Sequence, residues 1–348
     1  MSNLKKILLI LLTSSIVSIC TAKAVDHSPA VQEFFSKSVH TNNWAVLVST
    51  SRFWFNYRHV ANVLSFYQSI KRLGIPDSNI ILMLADNIPC NSRNPQPGTI
   101  FNNAFDRTNL YLSDIEVDYR GYEVTAANFV RLLTDRLDPN MPRNKRLLSD
   151  QQSNVLIYLT GHGGDGFLKF QDAEELTEVD LADAIETMHE QKRYNELFVI
   201  ADTCRSSSMY RSIISPNVVS TSSSLVHEDS LSHHIDSAIG VYIIDRYAFN
   251  AHNFIEQKVE SRESNATLNE YLHSCPYNLC LSTTGIRTDL FNRNPNRVRA
   301  TDFFGSLKYT QSLNNEYDLE TSEWKQLSSE FDASSKWLEL GKDRHLEY

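Results

Sequence analysis

Two short segments carry residue types suited to acyl-transfer chemistry. Thr160-Gly161-His162-Gly163-Gly164-Asp165-Gly166 follows one apolar run, and Asp202-Thr203-Cys204-Arg205-Ser206 follows another. A thiol becomes a nucleophile when an imidazole accepts its proton, so Cys204 reads as nucleophile and His162 as general base. The glycines beside His162 let the backbone approach a substrate closely, and their N–H groups suit an oxyanion. Taken singly, each residue has a plainer explanation. A lone Cys at a strand end is usually a small core residue, and a His in a Gly-rich turn is more often structural. Together, His then Cys at one sheet edge, they point to a catalytic pair.

The same glycines match the Gly-x-Gly-x-x-Gly dinucleotide fingerprint, with Asp180 and Asp183 at a plausible distance. That fingerprint needs a helix to open in the loop, so that its N-terminus meets the pyrophosphate. Phe167-Leu168-Lys169-Phe170 alternates like a strand instead. Nucleotide binding is set aside on that ground.

Positioning these segments requires an alternating framework. Apolar, β-branched runs at 44–50, 80–84, 154–160 and 196–201 read as buried strands. Helical spacing marks 58–73 (Val60, Val63, Leu64, Tyr67, Ile70), then 124–137 and 178–191. Strands alternating with helices imply a mainly parallel α/β sheet. In such sheets ligands bind beyond the carboxyl ends of the strands, where both candidate segments fall. Residues 86–99 read as a polar loop and 216–234 as a Ser-rich loop. Residues 240–258 read as a strand turning into a helix. Phe303 and Phe304 read as a last strand-like remnant.

The ends and the composition set the compartment. Lys5 and Lys6, an apolar run to Ile19, and Ala22-Lys23-Ala24 read as a signal peptide over 1–24. Losing Lys5, Lys6 and Lys23 takes the net charge from −9 to −12, which argues against a nucleic-acid partner. The polar tail, 308–348, is expected to carry no transmembrane helix, so any membrane association runs through partners. Of the cysteines outside the signal, Cys275 and Cys280 are spaced for a small local loop and are expected to pair. Cys90 is then expected in an intermolecular disulfide, and Cys204 is left for chemistry. Asn265-Ala266-Thr267 is a glycosylation sequon. Asp77, Glu116 and Asp118 offer oxygen ligands that suit structural Ca²⁺. His227, His233 and His234 lack zinc-ligand spacing.

Longer segments carry a family resemblance. Thr41 to Val48, Arg52-Phe53-Trp54-Phe55-Asn56-Tyr57-Arg58-His59, Tyr158 to Gly164, Phe167 to Asp172, Asp202-Thr203-Cys204, Glu228 to His233 and Thr288-Asp289-Leu290-Phe291 occur in order. The chain resembles the catalytic subunits of glycosylphosphatidylinositol (GPI) transamidases, a legumain-like group within the caspase clan of cysteine peptidases. The resemblance implies a caspase-like αβα sandwich over 39–307. It implies cleavage of a carboxy-terminal GPI signal from a proprotein through a Cys204 thioester, and transfer of the carboxyl to the ethanolamine amine of a GPI lipid. It implies an endoplasmic reticulum home within a multi-subunit membrane complex; a legumain-like endopeptidase is the alternative.

The same resemblance assigns Asn56 to orient His162, the N–H groups of Gly163 and Cys204 to the oxyanion, and Arg58, His59, Asp202, Ser230 and Asp245 to the primary pocket. No cofactor is needed for the chemistry. One departure stands out: Arg205-Ser206-Ser207-Ser208 replaces the Gln-Gly or similar pair expected after the family cysteine, altering the loop beside the nucleophile.

Overall fold

Strands that are apolar on both faces need cover on both faces. The structure, a computed structural model, describes residues 38–307, so the expected signal peptide and polar tail lie outside the described residues. Its central sheet places, in spatial order, β12 (Gly285–Arg287), β9 (Val218–Ser222), β8 (Glu196–Asp202), β4 (Ser153–Thr160), β1 (Asn42–Ser49), β2 (Ile80–Leu84) and β3 (Tyr119–Arg120). All neighbours are parallel except β12, which pairs antiparallel with β9.

Successive side chains of a strand point to opposite faces, and the core divides accordingly. Ala45, Leu47, Leu82, Leu156, Tyr158, Phe198 and Ile200 pack under α1 (Tyr57–Arg72) and α4 (Arg246–Lys258). Val46, Val48, Ile81, Val155, Ile157, Leu197 and Val199 pack under α2 (Ala126–Leu133) and α3 (Glu178–Glu190). The result is an αβα sandwich. Helix α1 buries the face marked by Val60, Val63, Leu64, Tyr67 and Ile70, and Gly74, at φ 92°, turns the chain out of it. Helix α3 starts at a reciprocal cap. The Asp180 N–H donates to Thr177 Oγ1 at 3.1 Å, and the Thr177 N–H to Asp180 Oδ2 at 3.0 Å.

Three expectations need correction. Helix α2 is shorter than 124–137, because Thr134 caps it and Asp135 adopts φ 53°. The Ser-rich stretch is not all loop. It contains β9, whose Ser220, Thr221 and Ser222 are buried, and β10 (Ser232–Asp236), which forms a hairpin with β11 (Val241–Asp245). Strand β9 tolerates buried hydroxyls because they are bonded: Thr221 Oγ1 donates to Gly285 O at 3.0 Å, and Ser222 Oγ lies 3.0 Å from Tyr210 Oη. Phe303 and Phe304 lie on a helical turn, not a strand. The Asn43 and Asn154 amides hold the Asp302 carbonyl there, at 2.7 and 3.0 Å.

Cys275 and Cys280 form the expected disulfide, with Cα atoms 5.6 Å apart. Among the described residues no helix is long and apolar enough to cross a membrane.

Candidate active site

Strand pairing sets the spacing of the site. Thr160 at the end of β4 is the Cα partner of Asp202 at the end of β8, so His162 and Cys204 each lie two residues beyond a paired position. Neighbouring strands run about 5 Å apart. The two loops stay in contact past the pairing, since Gly161 N–H donates to Asp202 O at 3.4 Å. At Gly163 an added Cβ would come within 2.6 Å of Thr203 Oγ1, so only glycine lets the two loops pack this closely.

The His162 loop turns directly into β5 (Gly163–Gly164), which pairs antiparallel with β6 (Phe167–Phe170), itself paired with β7 (Glu174–Thr177). Lys169 N–H bonds to His162 O at 2.8 Å. Hydrogen-bonded and open pairs alternate in such a ladder, so Gly163 and Leu168 form an open pair and the Gly163 N–H points out of the hairpin.

Asn56, buried at the start of α1, fixes the histidine. Its Nδ2 donates to the Arg52 carbonyl at 2.6 Å, which leaves Oδ1 facing His162 Nε2 at 2.7 Å. An amide oxygen only accepts, so the His162 proton sits on Nε2 and Nδ1 is the basic nitrogen. Burial lowers the His162 pKa below its usual value, and the Arg58 charge lowers it further. Burial raises the half-buried Cys204 thiol, with Asp229 and Asp245 adding to the rise. Both shifts favour the neutral forms, which suits general-base activation of the thiol.

The five expected pocket residues form one network beside this pair. Arg58 Nε reaches Asp245 Oδ1 at 3.1 Å. His59 Nδ1 lies 2.8 Å from Ser51 Oγ, its Nε2 lies 3.8 Å from Asp245 Oδ2, and its ring meets that of His162 edge to face. Burial keeps His59 neutral. Ser230 donates its hydroxyl to Asp202 Oδ1 at 3.1 Å, and its carbonyl lies 4.0 Å from Cys204 Sγ. Tyr158 Oη donates to Asp202 Oδ2 at 2.9 Å. Asp202 is pushed up to about 7, by burial foremost and then by the neighbouring Asp245 charge.

Sequence reasoning missed several members of this site. Asn62 donates to Asp245 Oδ2 and to Thr160 Oγ1, at 2.6 and 3.1 Å, and accepts from Asp245 N–H at 3.0 Å. Its signal was a polar residue on the apolar face of α1, one turn after Arg58. Ser223 and Ser224, just past β9, were missed because that stretch read as loop. They hold the loop that departs from the family pattern. Arg205, at φ 56°, turns the chain in the left-handed region, and Ser206 and Ser207 donate their N–H groups to Ser224.

The remaining candidates lie elsewhere. Tyr67 and Lys71 hold Asp77, Asn144 bridges Glu116 and Asp118 at 3.2 and 3.3 Å, and Leu82 N–H holds Asp118. These carboxylates share a neighbourhood but bind protein donors, and among the described residues no group of three or more His, Cys, Asp or Glu is placed to hold a metal ion. Cys90 is free and exposed. Asn265 is half-buried, and the Thr267 hydroxyl of its sequon caps α5 (Leu268–Leu272). A cleft of about 460 Å³ lies further along the same sheet edge, lined by Arg52, Leu84, Val117 and Tyr122 rather than by the Cys204 network.

A thiol and an imidazole at adjacent strand ends, beside a buried Asn and two buried carboxylates on an αβα sandwich, are the groups that cysteine-peptidase chemistry requires. The chain belongs to the peptidase C13 family, whose pattern matches residues 43–275. It is 54% identical over 315 residues to the GPI-anchor transamidase of Mus musculus, covering 90% of this chain and 78% of that one. A Caenorhabditis elegans relative, provisionally given the same name, is 60% identical over 294 residues, 84% of this chain and 92% of its own. The solved structure of caspase-1 from Spodoptera frugiperda superposes with a TM-score of 0.42 at 9% identity, covering 76% of this chain and 92% of that one.

Proposed function

We propose that this chain is the catalytic subunit of a GPI-anchor transamidase. The observation that carries the reading is the Asn56–His162 bond, which leaves Nδ1 as the base, in a chain 54% identical to a named transamidase. Cys204 Sγ attacks the carbonyl carbon that precedes the GPI signal, and its proton passes to His162 Nδ1. The N–H groups of Gly163 and Cys204 hold the oxyanion. Collapse breaks the C–N bond, and His162 returns the proton to the leaving amine, giving a Cys204 thioester. The ethanolamine amine of GPI then attacks, loses a proton to His162, and expels the Cys204 sulfur, which takes that proton back. Arg58, His59, Asp202, Ser230 and Asp245 receive the residue before the cleaved bond.

The enzyme acts at the lumenal side of the endoplasmic reticulum, held at the membrane by partner subunits, with Cys90 as the cross-link to one of them. A Cys90→Ser variant that leaves the non-reducing mass of the complex unchanged would remove that link. No cofactor enters these steps. Calcium at Asp77, Glu116 and Asp118 is a separate structural proposal, since the ion would have to displace Tyr67, Lys71 and Asn144. A thermal midpoint that rises with CaCl₂ in wild type but not in Asp118→Asn supports it.

The acceptor chemistry is tested with microsomes carrying wild type or Cys204→Ala, a proprotein with a GPI signal, and hydrazine. A hydrazide formed only by wild type supports transfer to amines through Cys204. Free acid alone favours the legumain-like endopeptidase, and equal activity of Cys204→Ala removes the catalytic role.

A further inference from the structure

The carbonyl of Thr203 belongs to the same peptide group as the N–H of Cys204. Two buried hydroxyls meet that carbonyl: Ser224 Oγ at 3.0 Å and Ser223 Oγ at 3.2 Å. Neither serine is free to swing away. Ser224 Oγ accepts from Ser206 N–H at 3.2 Å, Ser224 N–H donates to Ser206 Oγ at 3.1 Å, and Ser223 N–H donates to Ala201 O at 3.0 Å. Ser282 Oγ in turn donates to Ser223 O at 2.7 Å. The hydroxyl clamp thus grips the carbonyl end of the peptide group whose other end carries the Cys204 N–H.

We propose that Ser224, assisted by Ser223, is a positioning residue for the oxyanion: it fixes the Thr203–Cys204 peptide plane and strengthens the Cys204 N–H as a donor. A peptide carbonyl that accepts hydrogen bonds polarises its own N–H, and chains of such bonds reinforce one another. Donors fixed before the reaction cost no reorganisation when charge develops. The clamp also explains how the loop keeps its shape without the residue pair expected after the cysteine. Arg205 holds a left-handed backbone at φ 56°, and the two serines, 18 and 19 residues beyond it, brace the loop from β9. This inference rests on Cys204 as the nucleophile, but not on the identity of the acceptor.

The test uses the full chain in its membrane complex, with Ser224→Ala, Ser224→Thr and Ser223→Ala. Two probes of Cys204 separate the roles. A peptide aldehyde forms a tetrahedral adduct that needs the oxyanion donors, whereas iodoacetamide alkylates sulfur with no oxyanion. Ser224→Ala is expected to weaken the aldehyde and slow acylation by about tenfold or more, within the range of a damaged oxyanion site. Its alkylation rate stays within about twofold of wild type, Ser224→Thr restores the aldehyde, and Ser223→Ala shows a smaller loss. Unchanged aldehyde affinity in Ser224→Ala, an equal fall in alkylation, or a Thr variant as impaired as Ala overturns the proposal. Wild type that is inert to both probes at Cys204 would instead overturn the nucleophile assignment itself.

Discussion

At the amino ends of β4 and β8, Glu196 and Asp302 share Arg293. The guanidinium meets Glu196 Oε1 at 2.6 Å and Asp302 Oδ2 at 2.8 Å, while the Asn154 amide adds a bond to Glu196 Oε2 at 3.1 Å. At the carboxyl ends of the same strands, Asp202 and Asp245 have Arg58 as their neighbouring cation. Arg58 bonds Asp245 and the Phe55 carbonyl, leaving Asp202 to the neutral hydroxyls of Tyr158, Ser223 and Ser230. Each end thus sets two buried or largely buried carboxylates beside one arginine. Where the arginine bridges both acids, the cluster ties the start of the sheet together. Where it reaches one, the other keeps its proton up to about pH 7, in the pocket proposed for substrate. Placement of the cation, not its presence, separates a structural cluster from a working one.

Damage at the two ends should therefore look different. His162→Ala removes the proposed base and is expected to lower acylation by about 10⁴-fold or more. Its thermal midpoint should stay within a few degrees of wild type. A matching fall in stability would merge the two regions and break the comparison. Arg293→Met strands two buried carboxylates and should cost roughly 3–5 kcal/mol, measured by denaturant unfolding. Residual activity per folded molecule should be near wild type.

A finer contrast comes from pH. Asp202 binds a proton more tightly in the folded state than in the unfolded one, so stability falls as pH rises from the unfolded carboxylate range toward about 7. Asp202→Asn should flatten that slope, and a slope left unchanged would move the effect to another group. The smallest expected signal is kinetic. As the proposed base His162 must be neutral to act, and its pKa is lowered, so the acid limb of kcat/KM should fall below the usual imidazole range. Arg58→Gln removes one of the causes and should shift that limb upward.

The readable part of the sequence was the part governed by burial. The apolar runs of β1, β2, β4 and β8 announced strands, and the edge rule placed His162 and Cys204 at their ends. Strand β9 escaped because Ser220, Thr221 and Ser222 look soluble, yet all three are buried and the hydroxyls of Thr221 and Ser222 are bonded inside the protein. The same blindness hid Ser223 and Ser224. A hydroxyl's partner across a sheet leaves no periodic trace, whereas a valine's burial does. Helix α2 was overdrawn for a different reason: propensity carries past Leu133, and the left-handed turn at Asp135 is local chemistry that apolar spacing does not report. Resemblance supplied Asn56 and the five pocket residues, which spacing by itself would not have joined.

The paired positions Thr160 and Asp202 have a consequence for how the site can change over time. Equal arms of two residues run from that pair to His162 and Cys204. Adding or deleting one residue in either arm shifts one partner relative to the other, and no side-chain substitution compensates for a misplaced backbone. If His162 and Cys204 act as proposed, length variation is barred between each strand end and its catalytic residue. Insertions have to settle elsewhere, in stretches such as 86–116 that connect the strands without measuring out the site.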